Sequence, residues 1–360
     1  MKLGEFYRNR RVLVTGLTGF KGLWLASWLE RLGTAVTGFA LPPTDDMRRG
    51  WPGMLDRFPC ILGDIRDEAV VQRVLDKTQP EIVFHLAAQP LVRRSYTHPV
   101  TTFATNLLGT VHLLEAARHC ASVRGIVVVT SDKCYENREQ EAGYREDEPM
   151  GGHDPYSASK GCAELAIAAY RQSYARPGWR VASARAGNVI GGGDFAADRI
   201  VPDFVRSIIA GQPCMLRRPN SIRPWQHVLE PLAGHLLLGE RLVQGDESFA
   251  SAWNFGPSAD DAVTVRELAR LIIAHWRQGI IVEQTDPSGP FESQLLRLDS
   301  TKASEHLDWR PLLATTERVA WTVDWYRTWQ HQPAAVWDVV ARQIAEFDTQ
   351  MNKNPIARAA

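Results

Sequence analysis

The chain of 360 residues has no excess of charge of either sign and no long apolar run. Its 41 lysine and arginine residues balance 41 aspartate and glutamate residues, which gives a formal net charge of zero. A balanced chain lacks the basic field that is typical of nucleic-acid-binding proteins. No stretch approaches the roughly 18 consecutive apolar residues of a membrane span. We therefore expect a globular protein that binds neither nucleic acid nor a membrane.

The five cysteines are odd in number and scattered, with no C-x-x-C pair. The ten histidines show no spacing that is typical of metal ligands. These absences argue against a disulfide framework and against a zinc site. The first twelve residues contain no apolar core of a secretory signal. We expect reduced thiols, no bound metal ion and a cytoplasmic location.

Short β-branched strands alternate with amphipathic helices through the first half of the chain. The pattern predicts strands at 11–15, 35–41, 81–87, 125–130 and 179–185, and helices at 21–33, 68–79, 106–119 and 155–174. This alternation predicts an α/β fold, with a doubly wound parallel sheet of the Rossmann type and right-handed crossovers.

After residue 190 the alternation weakens, and Pro, Arg and Trp become frequent. This shift predicts a smaller, substrate-binding lobe formed by residues 189–223 and 257–345. The dinucleotide-binding domain is then expected at 1–188, with a returning sheet segment near 224–256. A closing helix is predicted at 314–329, and residues 346–360 are expected to form a polar tail that frays.

Three glycines follow the first predicted strand at G-x-x-G-x-x-G spacing. Gly16 permits a tight turn, Gly19 lets the backbone approach a diphosphate, and Gly22 allows close packing of helix on strand. Thr18 and Phe20 lie in the same turn. The helix N terminus offers N–H groups to phosphate oxygens. Placed between a strand and an amphipathic helix, this turn predicts dinucleotide binding.

The second strand ends without the acidic residue that usually binds the adenosine ribose about 20 positions further on. The choice between NAD and NADP is therefore open at this point. Arg48 and Arg49 are candidates for a 2′-phosphate, although a solvent-exposed role is favoured. Asp64 is a candidate for the adenine edge, and its structural alternative is an N-cap.

Tyr156 and Lys160 form Y-x-x-x-K inside a predicted helix, which places them on one face. Ser131 follows a buried strand, whose carboxyl end should point at the cofactor crevice. An ammonium beside a phenol lowers the phenol pKa, and Ser131 can share the phenolic proton. We predict a base that removes an alcohol proton while hydride leaves for a nicotinamide.

Several of these motifs resemble the extended short-chain dehydrogenase/reductase family, whose members mostly act on nucleotide sugars. The resemblance rests on the glycine turn, Asp64, His85-Leu-Ala-Ala88, Asn106 and the Tyr156/Lys160 pair, and it spans nearly the whole chain. It implies NAD as the cofactor. The implied contacts are Gly16, Thr18, Gly19, Phe20, Gly22, Asp64, Ile65, Ala87, Ala88, Asn106, Tyr156 and Lys160.

Longer strings resemble the CDP-glucose 4,6-dehydratase family in particular. They are Ser131-Asp-Lys-Cys-Tyr-Glu-Asn137, Gly151-Gly152, Asp154-Pro-Tyr-Ser157, Arg185-Ala-Gly-Asn188-Val-Ile-Gly-Gly-Gly-Asp194 and Ser221-Ile-Arg-Pro-Trp-Gln-His-Val228. The resemblance implies conversion of CDP-glucose to CDP-4-dehydro-6-deoxyglucose, with NAD recycled. The product of this family feeds 3,6-dideoxyhexose synthesis for bacterial cell-surface polysaccharide.

This chemistry needs a redox base, an elimination base and an acid. We assign Tyr156 as the redox base, assisted by Lys160 and Ser131, Asp132 as the acid at O6, and Lys133 as the base at C5. The structural alternative for the last two is a salt-bridged or solvated pair. Candidate substrate ligands are Gln89, Asn188, Arg199, Arg217 and Arg223, because guanidinium groups match phosphate oxygens.

Two departures from the family pattern bear on the ligands. Leu17 stands where a histidine or a small or polar residue is expected, which predicts an altered grip on the cofactor. Residues 291–295, FESQL, match the family's corresponding stretch only in part, which leaves the substrate pocket and the nucleotide base open.

Alternative functions are another nucleotide-sugar 4,6-dehydratase, a 4-epimerase or a reductase on this fold, and a non-catalytic dinucleotide-binding protein. An epimerase or reductase needs no adjacent acid and base, so the Asp132-Lys133 pair favours the dehydratase. The helices at 106–119 and 156–174 are apolar on more than one face, which predicts a homodimer.

Overall fold

A computed structural model describes residues 3–174, 178–258, 261–284 and 295–353. Its strands are β1 (Arg11–Thr15), β2 (Ala35–Ala40), β3 (Cys60–Leu62), β4 (Ile82–His85), β5 (Gly125–Val129), β6 (Arg180–Ala186), β7 (Val189–Ile190), β8 (Cys214–Leu216), β9 (Ile222–Arg223), β10 (Gln226–His227), β11 (Ala252–Phe255), β12 (Val263–Thr264) and β13 (Ile281–Glu283).

Its α-helices are α1 (Leu3–Tyr7), α2 (Phe20–Arg31), α3 (Asp45–Gly50), α4 (Met54–Arg57), α5 (Glu68–Thr78), α6 (Val92–Thr97), α7 (Pro99–Phe103), α8 (Gly109–His119), α9 (Pro155–Ser173), α10 (Ile200–Ile209), α11 (Leu229–Gln244), α12 (Val265–Trp276), α13 (Thr301–His306), α14 (Thr315–His331) and α15 (Val336–Lys353). A π-turn at Ala104–Leu108 leads into α8, and short 3₁₀ turns occupy Asp132–Cys134, Glu247–Phe249 and Pro333–Ala335.

Seven strands form one parallel sheet in the order β11-β6-β5-β4-β1-β2-β3. The chain runs outward from β1 to β3 and then returns to β4 on the other side of β1. The gap between β1 and β4 is therefore the topological switch point, where ligands of such sheets bind. The predicted α/β fold is confirmed, and β11 is a returning strand within the predicted segment 224–256.

Two helical layers cover the sheet because side chains alternate along each strand. Val12 and Val14 of β1 pack into one core, which includes the buried residues of α2, α11 and α14. Leu13 between them packs into the opposite core, with Leu75 of α5 and Leu113 of α8. Both faces of β1 are therefore shielded from water, which explains the unbroken apolar run of residues 12–14.

Smaller two-stranded sheets build the second lobe. They pair β7 with β10, β9 with β12 and β8 with β13. The helix α14 joins this lobe to α11 through a fully buried ion pair, in which Arg318 Nε lies 3.1 Å from Glu230 Oε2. In the described part of the chain, no helix has the length and apolar character needed to span a bilayer.

The prediction of a tail from residue 346 is wrong as far as Lys353. The amphipathic helix α15 continues to that residue, and Phe347 is buried edge-on against Trp28, with ring centroids 5.6 Å apart. The Trp28 indole N–H also donates to Asp348, at 3.0 Å. Polar residues are frequent near the end of α15, and they made this segment of the sequence look like a tail. The same helix also carries an apolar face that packs on the protein. Residues 354–360 lie outside the described residues.

Candidate active site

A cavity of about 730 Å³ runs along the carboxyl ends of the parallel strands and into the second lobe. Its wall begins at the glycine turn after β1, passes the loops that follow β4 and β5, and ends near Arg223 and Trp225. All of the predicted site residues line it except Asn106 and Arg217. The switch point therefore brings together residues that lie far apart in the sequence.

The glycine turn has the geometry of a diphosphate cradle. Gly16 has a φ of +72°, and a Cβ there would lie 2.8 Å from the backbone N of Ala87. A Cβ on Gly22 would lie 2.3 Å from the Gly16 carbonyl O, so neither position accepts a side chain. Gly19 begins α2 with no side-chain cap, which leaves the first-turn N–H groups available to an anion. The turn fits a dinucleotide diphosphate.

Next to the glycine turn, the cavity is lined by Asp64 and Ile65, which follow β3, and by Ala87 and Ala88, which follow β4. The Arg66 guanidinium donates hydrogen bonds to the Asp64 carboxylate and lowers the pKa of Asp64. The N-cap alternative for Asp64 is wrong.

Asp67 caps α5 instead, because its carboxylate accepts from the backbone N–H of Val70 at 3.0 Å. Thr18 fixes the turn itself by donating to the Leu41 carbonyl at 3.0 Å. Asp64 is thus left facing the cavity.

Three further positions in this region are turned away from the ligand space. Leu17 is fully buried in the core, where its side chain packs against Gly38. It therefore alters the packing behind the turn and does not line the cavity. Arg48 donates to the Pro43 carbonyl, and Arg49 pairs with Asp46 on the surface. Neither arginine lines the cavity, in agreement with the favoured solvent-exposed role.

The predicted catalytic side chains converge where β5 ends beside the N terminus of α9. Asp154 caps α9 by accepting from the Ser157 N–H at 3.0 Å, which fixes the first turn that carries Tyr156. Ser131 donates to Asp132 Oδ1 at 2.8 Å, and Lys133 Nζ lies 3.5 Å from the same oxygen. The cavity therefore holds a phenol, a hydroxyl, a carboxylate and an ammonium side by side.

The pKa of Tyr156 differs from the expectation. Burial raises it to about 12, against the opposing effect of the hydrogen bond with Ser131. Burial lowers the pKa of Lys160 to about 8, opposed by the charge of Glu164. The Lys160 ammonium donates to the Val129 carbonyl at 3.3 Å. Burial and the charges of Asp132 and Asp154 raise the pKa of Tyr156 against the hydrogen bond of Ser131 and the charge of Arg199, so the lowered phenol pKa stays a prediction for the ligand-bound enzyme.

A buried ionic network that the sequence reading missed fixes α9 to the sheet. Glu164 accepts hydrogen bonds from Thr130 at 2.5 Å, Ser183 at 2.7 Å and Arg185 at 2.8 Å. Thr130 directly follows β5 and Ser183 lies in the middle of β6, so one carboxylate joins the helix to two neighbouring strands. The available signal was a glutamate four residues after Lys160, on the same face of the helix.

Asn106 does not line the cavity and binds protein groups, so its contact with the cofactor stays a prediction. Its amide donates to the Gln89 carbonyl at 3.1 Å and to Ser159 at 2.9 Å, and it accepts from the Gln89 N–H at 2.8 Å. The π-turn before α8 turns the amide toward the loop after β4. Asn106 therefore shapes that loop, whereas Gln89 itself faces the cavity.

In the second lobe, the cavity is lined by Asn188, Arg199 and Arg223, whose contacts with the substrate stay predictions. Arg199 is held by Asp194, with 2.7 Å between guanidinium and carboxylate. Arg217 does not line the cavity wall, and it pairs with Asp198, which does line it, at 3.4 Å and with Asp203 at 3.7 Å. Its contact with the substrate stays a prediction. Residues 291–294 of the partly matching stretch lie outside the described residues.

A family model described as GDP-mannose 4,6-dehydratase matches residues 13–322. The chain belongs to this family. It is 46% identical to the CDP-glucose 4,6-dehydratase of Salmonella typhimurium over 332 residues, which cover 90% of this chain and 92% of that protein. The match to this relative and the family model identify the chain as a nucleotide-sugar 4,6-dehydratase. The predicted enzyme class is confirmed.

Solved structures of the extended family show the same fold. The dTDP-glucose 4,6-dehydratase of Streptomyces venezuelae, solved with NAD, matches with a TM-score of 0.74 and 25% identity over 88% of this chain and 97% of that one. The UDP-glucose 4-epimerase of Thermus thermophilus, also solved with NAD, matches with a TM-score of 0.76 and 28% identity over 88% and 99%. This dehydratase family therefore shares one dinucleotide-binding architecture with epimerases.

Proposed function

We propose that this dehydratase converts CDP-glucose to CDP-4-dehydro-6-deoxyglucose and water, with NAD as a recycled redox carrier. The observation that carries the proposal is the contact of Asp132 with Ser131 and Lys133, in the cavity that Tyr156 and the glycine turn also line. An epimerase needs the phenol and the cofactor, whereas loss of water also needs an acid and a second base. The relative from Salmonella supports the cytidine nucleotide.

The glycine turn and the residues around Asp64 are the groups that would hold NAD. A bound NAD would supply the hydride acceptor for oxidation at C4 and the hydride donor for reduction at C6. Tyr156 receives the C4 hydroxyl proton, and Ser131 shares that proton through its hydrogen bond to the phenol. The protonated Lys160 stabilises the phenolate by charge.

The elimination step follows from the acidity of the C5 proton beside a C4 ketone. Lys133 and Asp132 form an ion pair at 3.5 Å, and transfer of one proton between them yields a neutral amine and a protonated carboxyl group. The amine then accepts the C5 proton while the carboxyl group protonates the departing C6 hydroxyl. When hydride is delivered to C6, the Lys133 ammonium, whose protons exchange with solvent, gives a proton to C5. The C4 hydroxyl proton held by Tyr156 passes through Ser131 to Asp132, so the protein regains its starting number of protons.

Arg199 and Arg223 are the proposed ligands of the nucleotide diphosphate, and Asn188 and Gln89 supply amides near the sugar. A 4-keto-6-deoxy sugar nucleotide is reactive, and a reductase, epimerase or aminotransferase must consume it. We therefore place the enzyme in deoxysugar synthesis for lipopolysaccharide or a related surface polysaccharide. None of the five cysteines forms a disulfide, which supports a reducing, cytoplasmic compartment.

The test is incubation of the purified enzyme with CDP-glucose and catalytic NAD in D₂O, followed by mass spectrometry and NMR. We expect loss of one water and one deuterium at C5, because the C5 proton exchanges on the base. A Lys133→Met variant should lose the product, whereas Lys77→Met, on an exposed helix face, should keep it.

The outcomes of this test separate the candidates. CDP-galactose without loss of water would indicate the epimerase. Intact CDP-glucose, together with turnover of dTDP- or UDP-glucose in a parallel panel, would overturn the cytidine assignment and leave the dehydratase standing.

We further propose that the chain is a homodimer. Large apolar side chains are exposed on the helices that the sequence reading selected, with Leu108 49%, Leu165 62% and Tyr174 46% accessible. We expect light scattering to give twice the mass of 40.3 kDa. A Leu165→Glu variant should be monomeric, while Ile280→Glu, which changes an exposed apolar residue elsewhere, should not. A monomeric wild-type enzyme at micromolar concentration would refute the dimer.

A further inference from the structure

The loop of residues 191–199, which joins β7 to α10, is held by aromatic side chains on the side away from the cavity. The indole N–H of Trp24 donates to the Gly192 carbonyl at 2.9 Å. The indole N–H of Trp51 donates to the Gly193 carbonyl at 3.0 Å. Both indoles are completely buried, so these two successive carbonyl groups are bound to side chains of the core.

Two glycines of this loop allow the aromatic rings to lie directly against its backbone. A Cβ on Gly192 would lie 2.0 Å from Cγ of Trp325. A Cβ on Gly193 would lie 2.3 Å from Cζ2 of Trp51, and the φ of +81° at Gly193 favours glycine as well. The rings of Trp51 and Trp325 contact each other, with centroids 5.1 Å apart. The glycine string of the sequence therefore lets the loop pack on a cluster of tryptophans.

The third aromatic donor is the phenol of Tyr326 in α14, which binds the next carbonyl of the loop. Its O–H donates to the Asp194 carbonyl at 2.5 Å. The Asp194 carboxylate accepts from the backbone N–H of Ala196 at 3.0 Å and from the Arg199 guanidinium at 2.7 Å. Asp194 and Arg199 line the cavity, whereas Tyr326 is completely buried in the core. A series of hydrogen bonds therefore connects the core with a cation in the cavity wall.

Arg199 is suited to bind an anion only if its long side chain is held in place. The side chain is 33% accessible, so its guanidinium can meet a ligand while Asp194 holds it. A side chain that is ordered before binding loses less entropy when the ligand arrives. The Asp194 carboxylate keeps its direction only if the loop backbone stays fixed, and glycines alone would leave that backbone free. The aromatic donors remove this freedom.

We propose that Tyr326 is a positioning residue for the substrate, which fixes the Asp194 backbone and thereby holds the Arg199 guanidinium at the diphosphate of the sugar nucleotide. This inference rests on the proposed role of Arg199 as a diphosphate ligand. The indoles of Trp24 and Trp51 hold the two preceding residues in the same way. The diphosphate is not altered by the reaction, so its contact with Arg199 contributes to substrate affinity more than to the rate of the chemical steps.

The experiment compares Tyr326→Phe with Tyr7→Phe as the matched control. The Tyr7 phenol is also completely buried and also donates to a backbone carbonyl, that of Leu236 at 2.6 Å, but it does not line the cavity. Each variant loses one hydroxyl group and leaves one buried carbonyl without this donor. Both should therefore lower the melting temperature of the ligand-free protein by a similar amount.

Only Tyr326→Phe should also change the binding of the substrate. We expect the dissociation constant of CDP, measured by calorimetry, and the KM for CDP-glucose to rise by about 3- to 10-fold, the range of one hydrogen bond. The kcat and the dissociation constant of NAD should stay within about twofold of the wild type, because the reacting groups and the glycine turn are unchanged. Tyr7→Phe should match the wild type in all four constants.

A double-mutant cycle shows whether Tyr326 acts through Arg199. Arg199→Met alone should weaken CDP binding more than Tyr326→Phe does, because it removes the whole guanidinium. Adding Tyr326→Phe to Arg199→Met should cause no further loss of CDP affinity, since no guanidinium remains to be positioned. If Tyr326→Phe does not fold, Asp194→Asn is measured in the same cycle with the same expected pattern, because it weakens the contact that holds Arg199.

Three results would overturn the inference. Equal CDP affinity in Tyr326→Phe and Tyr7→Phe would leave the Tyr326 hydrogen bond with a structural role alone. Additive losses in the cycle would show that Tyr326 acts independently of Arg199, and a lower kcat with unchanged affinity would assign its effect to the chemical steps. If the wild type neither binds CDP nor converts CDP-glucose, the proposed nucleotide fails instead, and the same cycle is measured with dTDP- or UDP-glucose, which carry the same diphosphate.

Discussion

Replacement of Tyr156 with phenylalanine is expected to reduce turnover by about 10²- to 10⁴-fold, the usual contribution of a positioned acid or base. Only the phenolic oxygen is removed, so the ring still packs at the start of α9 and ligand affinities should stay within a few-fold. Single-turnover absorbance at 340 nm should show that reduced cofactor no longer forms. The defect should therefore appear in kcat and not in the dissociation constants.

The matched control is Tyr174→Phe, at an exposed tyrosine just after the same helix. This variant should keep wild-type kinetics. A Tyr156→Phe enzyme with more than about a tenth of wild-type turnover would show that the phenol is not the redox base. Loss of NAD binding in that variant would instead assign Tyr156 to cofactor affinity.

The second large effect concerns stability. An Arg318→Met substitution should lower the free energy of unfolding by about 3–5 kcal/mol, because Glu230 would keep a buried charge without its partner. Both side chains are completely buried, and Glu230 also accepts from the backbone N–H groups of Leu312 and Leu313. Urea unfolding followed by tryptophan fluorescence measures the change.

Two comparisons make this measurement specific. The double variant Arg318→Met with Glu230→Gln removes the stranded charge and should recover part of the loss. Arg342→Met removes an exposed pair with Asp324 and should change stability by less than about 1 kcal/mol. A double variant that is less stable than the single one would show that the carboxylate is stabilised by its backbone donors and not by Arg318.

Much of the fold could be predicted because it depends on local patterns. Parallel strands buried on both faces give apolar runs such as residues 12–14 of β1, and the glycine spacing fixes the position of the switch point. The end of β5 then places Ser131 beside the cavity, and the four-residue spacing places Lys160 on the same face as Tyr156. These inferences need only the periodicity of strand and helix.

What the sequence did not predict depends on contacts between distant residues. A π-turn directs the amide of Asn106 to Gln89 and Ser159, so its contact with the cofactor stays a prediction. Arg217 pairs with Asp198 and Asp203 outside the cavity wall, and its contact with the substrate also stays a prediction. The pKa of Tyr156 depends on how deeply the ring is buried, which spacing alone does not report.

The contact between the last helix and the first long one has a consequence for biosynthesis. The α2 helix carries the glycine turn at its start, and near its end Trp28 is enclosed by Phe347 and Asp348 of α15. During synthesis, residues that lie about three hundred positions apart must both be outside the ribosome before this contact forms. The N-terminal part of the nascent chain therefore lacks this contact at Trp28, and the nucleotide cradle gains its full support only after α15 has left the ribosome.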